Sequence, residues 1–431
     1  MTVQRRRAAT CLACLVVGLL SVACQIDSGG PPHLVVDRPT ALFDAPLSIQ
    51  IAGVPPFSEV TVEARTADGI WTSSARFDAG ADGRVDLATA APTRGSSYSL
   101  VDAMGIFWSL RLRNLSASNA PPTAGPPPTA PSDWVVQLSA RVGGGPAATR
   151  TIRRLAMAPG VTVRTLLPAV DGVFGQLYLP PSGAAAEPPV LIFGGSEGGL
   201  STTHSAALLA SHGHPALALA YFAEAGLPPA LENIPLEYFV KAIAMLHEAA
   251  GGPGRVAVLG ISRGSEAALL LGAHFPDLVG GVAAYVPSSV ANPGLPGLLG
   301  AAWSLGGQPV PTVPLYDFGD PSPTDAPQAI IPVEEVRGPI FLVSGTEDSV
   351  WPSSRYAAAI VARLDAARDP YSHQSLVYKG AGHGVGGPVP YAPEAPPIAG
   401  SLAEGGSPAA NAGGHEDSWP KLLVFLDRVP R

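Results

Sequence analysis

Apolar and polar residues alternate along the first part of the chain, from residue 34 to about residue 112. The alternation is clearest at 47–51 and 60–64, where every second residue is apolar. A period of two is typical of strands with one buried face. Turn-forming sequences separate these segments at the spacing of a small sandwich: V-P-P at 54–56, A-D-G at 67–69 and A-D-G at 81–83. We therefore predict an all-β sandwich over residues 33–115.

The pattern changes after residues 116–132, which are rich in proline and which we predict to be a linker or exposed loop. A short segment at 134–138 fits a strand on either side of this boundary. From about residue 151, short apolar runs alternate with segments of helical spacing, and alternating strands and helices favour a mostly parallel sheet covered on both faces. We predict an α/β domain over residues 133–431, ending in a helix capped by Ser418.

The extreme N-terminus has the features of an export signal. Three arginines, at positions 5–7, precede an apolar run that ends in L-L-S-V-A-C at 19–24. This run is too short for a stable membrane span and fits a signal peptide over residues 1–23. Small residues before Cys24 resemble a bacterial lipobox, so we predict a lipid-modified Cys24 in a cell-envelope protein. Ser21 stands where such motifs most often carry leucine, so ordinary cleavage after Ala23 is one alternative. An uncleaved N-terminal anchor is the other.

Composition excludes several classes of function. The net charge of −8 argues against a polyanionic partner such as nucleic acid. The three cysteines all lie in the leader, so the mature chain has no internal disulfide, no cysteine nucleophile and no cysteine-based metal site. We expect no metal or other cofactor, a small-molecule substrate, and membrane contact through the lipid anchor alone; the sequence does not indicate an oligomeric state.

Two segments contain the pattern G-x-S-x-G, which places a nucleophilic serine on a sharp turn between a strand and a helix. Ser262 follows an apolar strand and is followed at once by an apolar helix, as such a turn requires. Ser196 also follows a strand, but a glycine pair delays its helix. We therefore assign Ser262 as the nucleophile. The earlier loop and Arg263 then supply backbone N–H groups for the oxyanion hole, with three candidates in the loop: Gly195, Ser196 and Glu197.

A serine nucleophile of this kind needs a carboxylate and a histidine, which follow it in that order along the chain. The strand at 340–343 leads into a loop with Glu347 and Asp348, of which we favour Asp348. The strand at 375–378 leads into a glycine-framed His383. The remaining histidines lie in helical segments, precede strands or occupy polar stretches, and we expect His415 at the surface. The segment 292–327 is the best candidate for a lid.

These motifs resemble those of the acyl-CoA thioesterase and bile acid-CoA:amino acid N-acyltransferase family, over most of residues 34–430. The matching segments are A-L-F-D-A-P-L at 41–47, M-G-I-F-W-S at 104–109, F-G-G-S-E-G-G at 193–199, G-I-S-R-G at 260–264, D-S-V-W-P-S at 348–353, G-A-G-H at 380–383 and E-D-S-W-P at 416–420. The resemblance implies an immunoglobulin-like sandwich followed by an α/β-hydrolase domain that acts on acyl-CoA thioesters.

Two features depart from the family pattern. Its N-acyltransferases carry cysteine at the nucleophile position, so Ser262 points to the thioesterase branch. Family members usually act inside cells, where CoA esters occur, whereas this chain carries an export signal. The leading hypothesis is a serine hydrolase of lipophilic thioesters or esters that works through an acyl-enzyme and Ser262, His383 and Asp348. The alternatives are acyl transfer to an amino acid or other amine, and an inert surface binding protein.

Overall fold

The computed structural model describes residues 31–113, 131–183, 187–252, 254–315, 318–394 and 402–430. The predicted signal peptide, Cys24 and nearly all of the predicted linker lie outside these ranges. Within the described ranges, no helix is both long and apolar enough to cross a membrane.

Two β-sheets form the N-terminal part. The elements are β1 (His33–Val36), β2 (Thr40–Leu42), β3 (Ile49–Ala52), β4 (Glu59–Thr66), β5 (Trp71–Asp78), β6 (Arg84–Asp86), α1 (Gly105–Trp108), β7 (Arg111–Leu112), β8 (Trp134–Val142) and β9 (Ala148–Leu155). A six-stranded sheet has the order β2-β9-β8-β4-β5-β7, and a three-stranded sheet has the order β1-β3-β6. Alternate residues of the strands, such as Val60 and Val62 of one sheet and Ile49 and Ile51 of the other, are buried in one shared core.

The larger N-terminal sheet extends past the boundary that we placed at residue 133. Strand β8 pairs with β4 from Val60↔Val142 to Thr66↔Val136, and β9 pairs with β8. Both strands therefore belong to the N-terminal part and not to the α/β domain. The physical reason is the same period of two that marks the earlier strands, since Val136 and Leu138 are buried in the shared core.

An eight-stranded sheet organises the rest of the chain, together with a separate small sheet of three strands. The strands are β10 (Thr162–Leu166), β11 (Phe174–Leu179), β12 (Val190–Phe193), β13 (Ala216–Ala220), β14 (Ile234–Pro235), β15 (Val256–Ile261), β16 (Val279–Tyr285), β17 (Trp303–Leu305), β18 (Gln308–Pro309), β19 (Ile340–Gly345) and β20 (His373–Tyr378). The large sheet has the order β10-β11-β13-β12-β15-β16-β19-β20, and the small sheet joins β14, β17 and β18. The five ladders from β13 to β20 are parallel, and the two that join β10, β11 and β13 are antiparallel.

Helices cover both faces of this sheet, which explains why its central strands are apolar throughout. The helices are α2 (Pro168–Asp171), α3 (Thr203–Ser211), α4 (Leu236–Ala249), α5 (Arg263–His274), α6 (Ser353–Ala367) and α7 (Pro408–Leu426). Buried residues of α4, α5 and α6 share one apolar core with the sheet. Residues of α3 and α7 share a second core on the opposite face. The parallel strands thus present their carboxyl ends along one edge of a two-sided layer.

The last helix begins earlier than the sequence predicted. Its N-cap is Ser407, whose hydroxyl accepts a hydrogen bond from Ala410 N, and Pro420 lies inside the helix. The prediction of Ser418 as the N-cap is therefore wrong. Proline and two glycines make this segment a poor helix by propensity alone. Burial of Trp419 and Leu422 against the sheet compensates for that propensity.

Candidate active site

Ser262 occupies the turn between β15 and α5. Its backbone has a positive φ, with φ of 54° and ψ of −122°, a sparsely populated conformation that costs about 1–3 kcal/mol in a non-glycine residue. The turn is so tight that a Cβ at Gly264 would lie 2.2 Å from the carbonyl oxygen of Gly194. Ser262 N donates to Tyr285 O at the end of β16. The serine is therefore held at the carboxyl edge of the central strands.

His383 and Asp348 meet Ser262 at the same edge. Nε2 of His383 lies 2.9 Å from Oγ of Ser262, and its Nδ1 lies 2.9 and 3.1 Å from the two carboxylate oxygens of Asp348. The Asp348 side chain is fully buried, and that of His383 is 13% exposed. The structure thus brings the three sequence-predicted side chains into one hydrogen-bonded chain. Glu347, the alternative carboxylate, is exposed.

The Asp348 carboxylate has further partners that fix its orientation. Its Oδ1 accepts hydrogen bonds from the backbone N–H groups of Val350, at 3.0 Å, and Trp351, at 3.3 Å. The indole ring of Trp351 packs edge-on against the His383 ring and donates to Val286 O. The D-S-V-W segment therefore forms a turn that cradles the carboxylate and supports the imidazole from one side.

Three hydrogen bonds hold the loop that carries His383. Its backbone N–H donates to Glu404 O at 2.7 Å, and Gly382 N donates to the side-chain oxygen of Asn411 at 2.8 Å. Nε2 of His415, on helix α7, donates to Gly384 O at 2.8 Å. The prediction that His415 lies at the surface is wrong, because the ring packs beneath this loop and is only 7% exposed. Burial lowers the pKa of His415 to about 4, so the ring is neutral near pH 7.

The glycine-rich loop after β12 packs directly against the serine. A Cβ at Gly195 would lie 2.8 Å from Cβ of Ser262. The N–H of Gly195 donates to both carboxylate oxygens of Glu197, at 2.9 and 3.0 Å, so this amide is engaged within the loop. Tyr221 OH donates to the carbonyls of Gly194 and Gly195. The backbone N–H groups of Ser196 and Glu197 therefore remain as the loop's candidate oxyanion donors.

The second candidate donor is the backbone N–H of Arg263. Arg263 is the first residue of α5, so its N–H points out of the helix with no acceptor in the preceding turn. The helix dipole adds positive potential at the same place. Among the described residues, no group of three His, Cys, Asp or Glu side chains could hold a metal ion. The arrangement suits nucleophilic attack on a carbonyl carbon, with donors for the developing oxyanion.

Sequence reasoning missed the residues that support this arrangement. Glu266, Asn411 and His415 are all buried and hydrogen-bonded close to the site. Glu266 carried a visible signal, since a carboxylate one helical turn after the candidate nucleophile stands directly before the apolar run at 267–271. Asn411 and His415 carried none, because their hydrogen-bond partners, namely the backbone of Gly382 and Gly384 and the side chain of Glu394, are distant in sequence.

Comparison with known proteins places the chain among its relatives. The profile described as "Acyl-CoA thioester hydrolase/BAAT N-terminal region" matches residues 44–167, and "BAAT / Acyl-CoA thioester hydrolase C terminal" matches residues 314–429. Acyl-coenzyme A thioesterase 6 of Mus musculus is 31% identical over 90% of this chain and 94% of its own length. The chain belongs to the acyl-CoA thioesterase and N-acyltransferase family. It is accordingly an enzyme of the class that cleaves thioesters and esters.

Both branches of the family are similar to this chain. Bile acid-CoA:amino acid N-acyltransferase of Mus musculus is 30% identical over 90% of this chain and 95% of that protein. Among solved structures, a putative dienelactone hydrolase from Klebsiella pneumoniae matches 62% of this chain and 99% of its own, with 15% identity and a TM-score of 0.41. The family resemblance expected from the motifs is confirmed, and overall identity does not separate the thioesterase branch from the acyltransferase branch.

Proposed function

We propose that this family member hydrolyses thioesters or esters of lipophilic acyl groups. Oγ of Ser262 attacks the carbonyl carbon while Nε2 of His383 takes the hydroxyl proton. Asp348 stabilises the imidazolium through Nδ1. The N–H of Arg263 and an N–H of the loop at 195–197 bind the oxyanion, with Ser196 and Glu197 as the free donors. His383 then gives its proton to the departing thiolate or alkoxide, which leaves an acyl-serine.

Hydrolysis completes the cycle by the same route in reverse. Water takes the place of the leaving group, and His383 accepts a proton from it as the oxygen attacks the acyl-serine carbonyl. The intermediate collapses, the proton returns to Ser262 Oγ, and the carboxylic acid leaves. The main observation that supports this mechanism is the contact of 2.9 Å between His383 Nε2 and Ser262 Oγ, with Nδ1 of the same ring bound to the fully buried Asp348 side chain.

Replacement of Ser262 by alanine tests the proposal. We expect the hydrolysis of acyl-CoA and p-nitrophenyl esters to fall to the background of the assay, together with labelling by a fluorophosphonate probe. Ser196→Ala, which keeps every backbone N–H of the loop, should change either readout by no more than a few-fold. If Ser262→Ala kept its rate while Ser196→Ala lost it, the assignment of the two G-x-S-x-G serines would be reversed.

Acyl transfer to an amine is the second candidate, and the similarity to the N-acyltransferases favours it. Serine at position 262 argues the other way, because the transferases of the family carry cysteine there. Incubation of the enzyme with an acyl-CoA and either glycine or taurine separates the two reactions by mass spectrometry. Hydrolysis predicts free acid alone, and an amide product would assign the protein to the transfer branch. An inert binding protein would give neither product, nor a fluorophosphonate adduct.

We further propose that the N-terminal sheets form an immunoglobulin-like sandwich and that the protein is exported with a lipid on Cys24. The leader sequence at 1–24 supports export, and the paired sheets with their shared core support a sandwich. Mass spectrometry of the mature N-terminus tests the second point. A diacylglyceryl group on Cys24 is the expected result, and a chain that still begins at Met1 would exclude processing.

A further inference from the structure

A buried ion pair follows the proposed nucleophile directly. Nη1 of Arg263 lies 3.1 Å from Oε1 of Glu266, with side-chain exposures of 6% and 0%. Neither group contacts the Ser262–His383–Asp348 chain through its charged atoms in the described structure, so the mechanism above leaves both unused. Burying such a pair costs free energy, because both charges lose their hydration.

Glu266 is surrounded by hydrogen-bond donors. Oε1 accepts from Asn292 Nδ2 at 2.8 Å in addition to Arg263, and Oε2 accepts from Trp303 Nε1 at 2.9 Å and Asn292 N at 3.3 Å. Burial raises the pKa of Glu266, while Arg263 and these donors favour its charged form. A protonated oxygen would point a hydrogen at another donor. The donor set therefore suits a carboxylate.

The Arg263 guanidinium ties the same helix to the segment that follows β16. Nη2 donates to the carbonyls of Asn292, at 2.8 Å, and Pro293, at 2.9 Å. Trp303 and Asn292 are both fully buried, so residues 292–303 are attached to α5 through two charged side chains and an indole. The first third of the predicted lid is therefore fixed to the nucleophile helix.

We propose that Arg263 and Glu266 are positioning residues that hold the strained Ser262–Arg263 peptide in its reactive orientation. This inference rests on the proposed role of Ser262. A positive φ at serine relaxes unless its neighbours prevent it. The Arg263 side chain is fixed at its far end by two carbonyls and one carboxylate. Its Cα, and with it the N–H proposed to bind the oxyanion, cannot rotate away without breaking those contacts.

The double variant Arg263→Met/Glu266→Gln tests this idea while leaving no unpaired charge in the core. Glutamine still offers an acceptor to Trp303 Nε1, and its amide can donate to Asn292 Oδ1, which has no partner among the described residues. We expect kcat per titrated active site to fall by about 10- to 100-fold, as for a misplaced oxyanion donor. KM should change by less than about threefold.

A trifluoromethyl ketone, which forms an oxyanion adduct with serine, distinguishes positioning from loss of folded protein. Its affinity should fall by the same factor as kcat/KM, whereas a merely structural defect would leave both unchanged per active site. Asp44→Asn is the matched control, because Asp44 is also a buried carboxylate that accepts from an indole, Trp419 Nε1 at 2.8 Å. It should lower stability without changing ketone affinity.

Two results would overturn the inference. One is a double variant with wild-type kcat/KM and wild-type ketone affinity per active site. The other is a single variant, Glu266→Gln, that keeps both values while its midpoint of unfolding falls. Fluorophosphonate labelling of the wild-type enzyme separates these outcomes from failure of the proposed function, since a protein without a reactive Ser262 would not be labelled at all.

Discussion

His415 connects the acid stability of the protein to the loop that carries His383. Its ring is 7% exposed, and burial lowers its pKa to about 4, against about 6.5 in an unfolded chain. Between these values the unfolded state binds a proton that the folded state does not. The free energy of unfolding therefore decreases as the pH falls from 6.5 towards 4. From pH 7 to pH 5 this one group removes about 2 kcal/mol of stability.

The substitution His415→Gln removes the titrating group and keeps a donor for Gly384 O. We expect the wild-type protein to lose about 2 kcal/mol more than this variant between pH 7 and pH 5. Urea unfolding at several pH values, followed by tryptophan fluorescence, measures the difference directly. If the free energy of unfolding fell equally with pH in the wild type and the variant, the burial argument would be refuted, because the predicted difference comes only from protonation of His415 in the unfolded state.

His204 provides the matched control for the role of the contact with Gly384. Burial lowers its pKa to about 4 as well, but its ring packs on Phe43. His204→Gln should change the acid dependence of unfolding in the same direction and leave kcat at pH 7 unchanged. His415→Leu, which removes the donor to Gly384 O, should lower kcat by a few-fold, because this hydrogen bond then no longer holds the Gly384 carbonyl. Equal kcat values in the two variants would show that the Gly384 contact does not position His383.

Three further substitutions test separate parts of the structure. Asp348→Asn should lower kcat by about 10⁴-fold with a small change in KM, because it stabilises the wrong imidazole tautomer; steady-state kinetics that showed less than a tenfold loss would contradict the role of Asp348. Gly264→Ala should destabilise the fold by about 1–3 kcal/mol in urea unfolding, because its Cβ would lie 2.2 Å from Gly194 O; an unchanged midpoint would show that the turn can open. Arg154→Met should lower the free energy of unfolding by about 1–3 kcal/mol, since the buried guanidinium donates to two backbone carbonyls. An unchanged free energy of unfolding in urea would mean that water replaces the guanidinium as the donor.

The residues of the candidate site were predictable because local sequence determines where strands end. Apolar runs mark β15 and β19, a shorter run at 376–378 ends the otherwise polar β20, and parallel strands must place their carboxyl ends at one edge. Ser262, Asp348 and His383 each follow such a run, so their meeting needed no knowledge of strand order. The strand order itself was not predictable. Polar strands such as β10 and β20 indicate the edges of the sheet, but no local feature indicates which apolar strands are neighbours of β15.

The errors share a physical cause, which is dependence on partners far away in sequence. Strand β8 has the same alternating pattern whichever sheet it joins, and only its ladder with β4 decides the question. His415 stands beside Glu416 and Asp417, which suggest a surface, but helix α7 turns the histidine beneath the loop at 383–386. The start of α7 at Pro408 likewise depends on burial of Trp419 against the sheet, which outweighs local propensity.

The two G-x-S-x-G segments are best understood as two halves of one packed unit. Gly264 of the second segment fits against the Gly194 carbonyl of the first, and Gly195 of the first fits against Cβ of Ser262. Any side chain at either glycine would push the loop away from the serine. Gly194 and Gly198 give Ser196 its G-x-S-x-G pattern, but the close packing of the two segments depends on Gly195 and Gly264. In the proposed mechanism, this packing brings backbone N–H groups of the loop within reach of the substrate carbonyl.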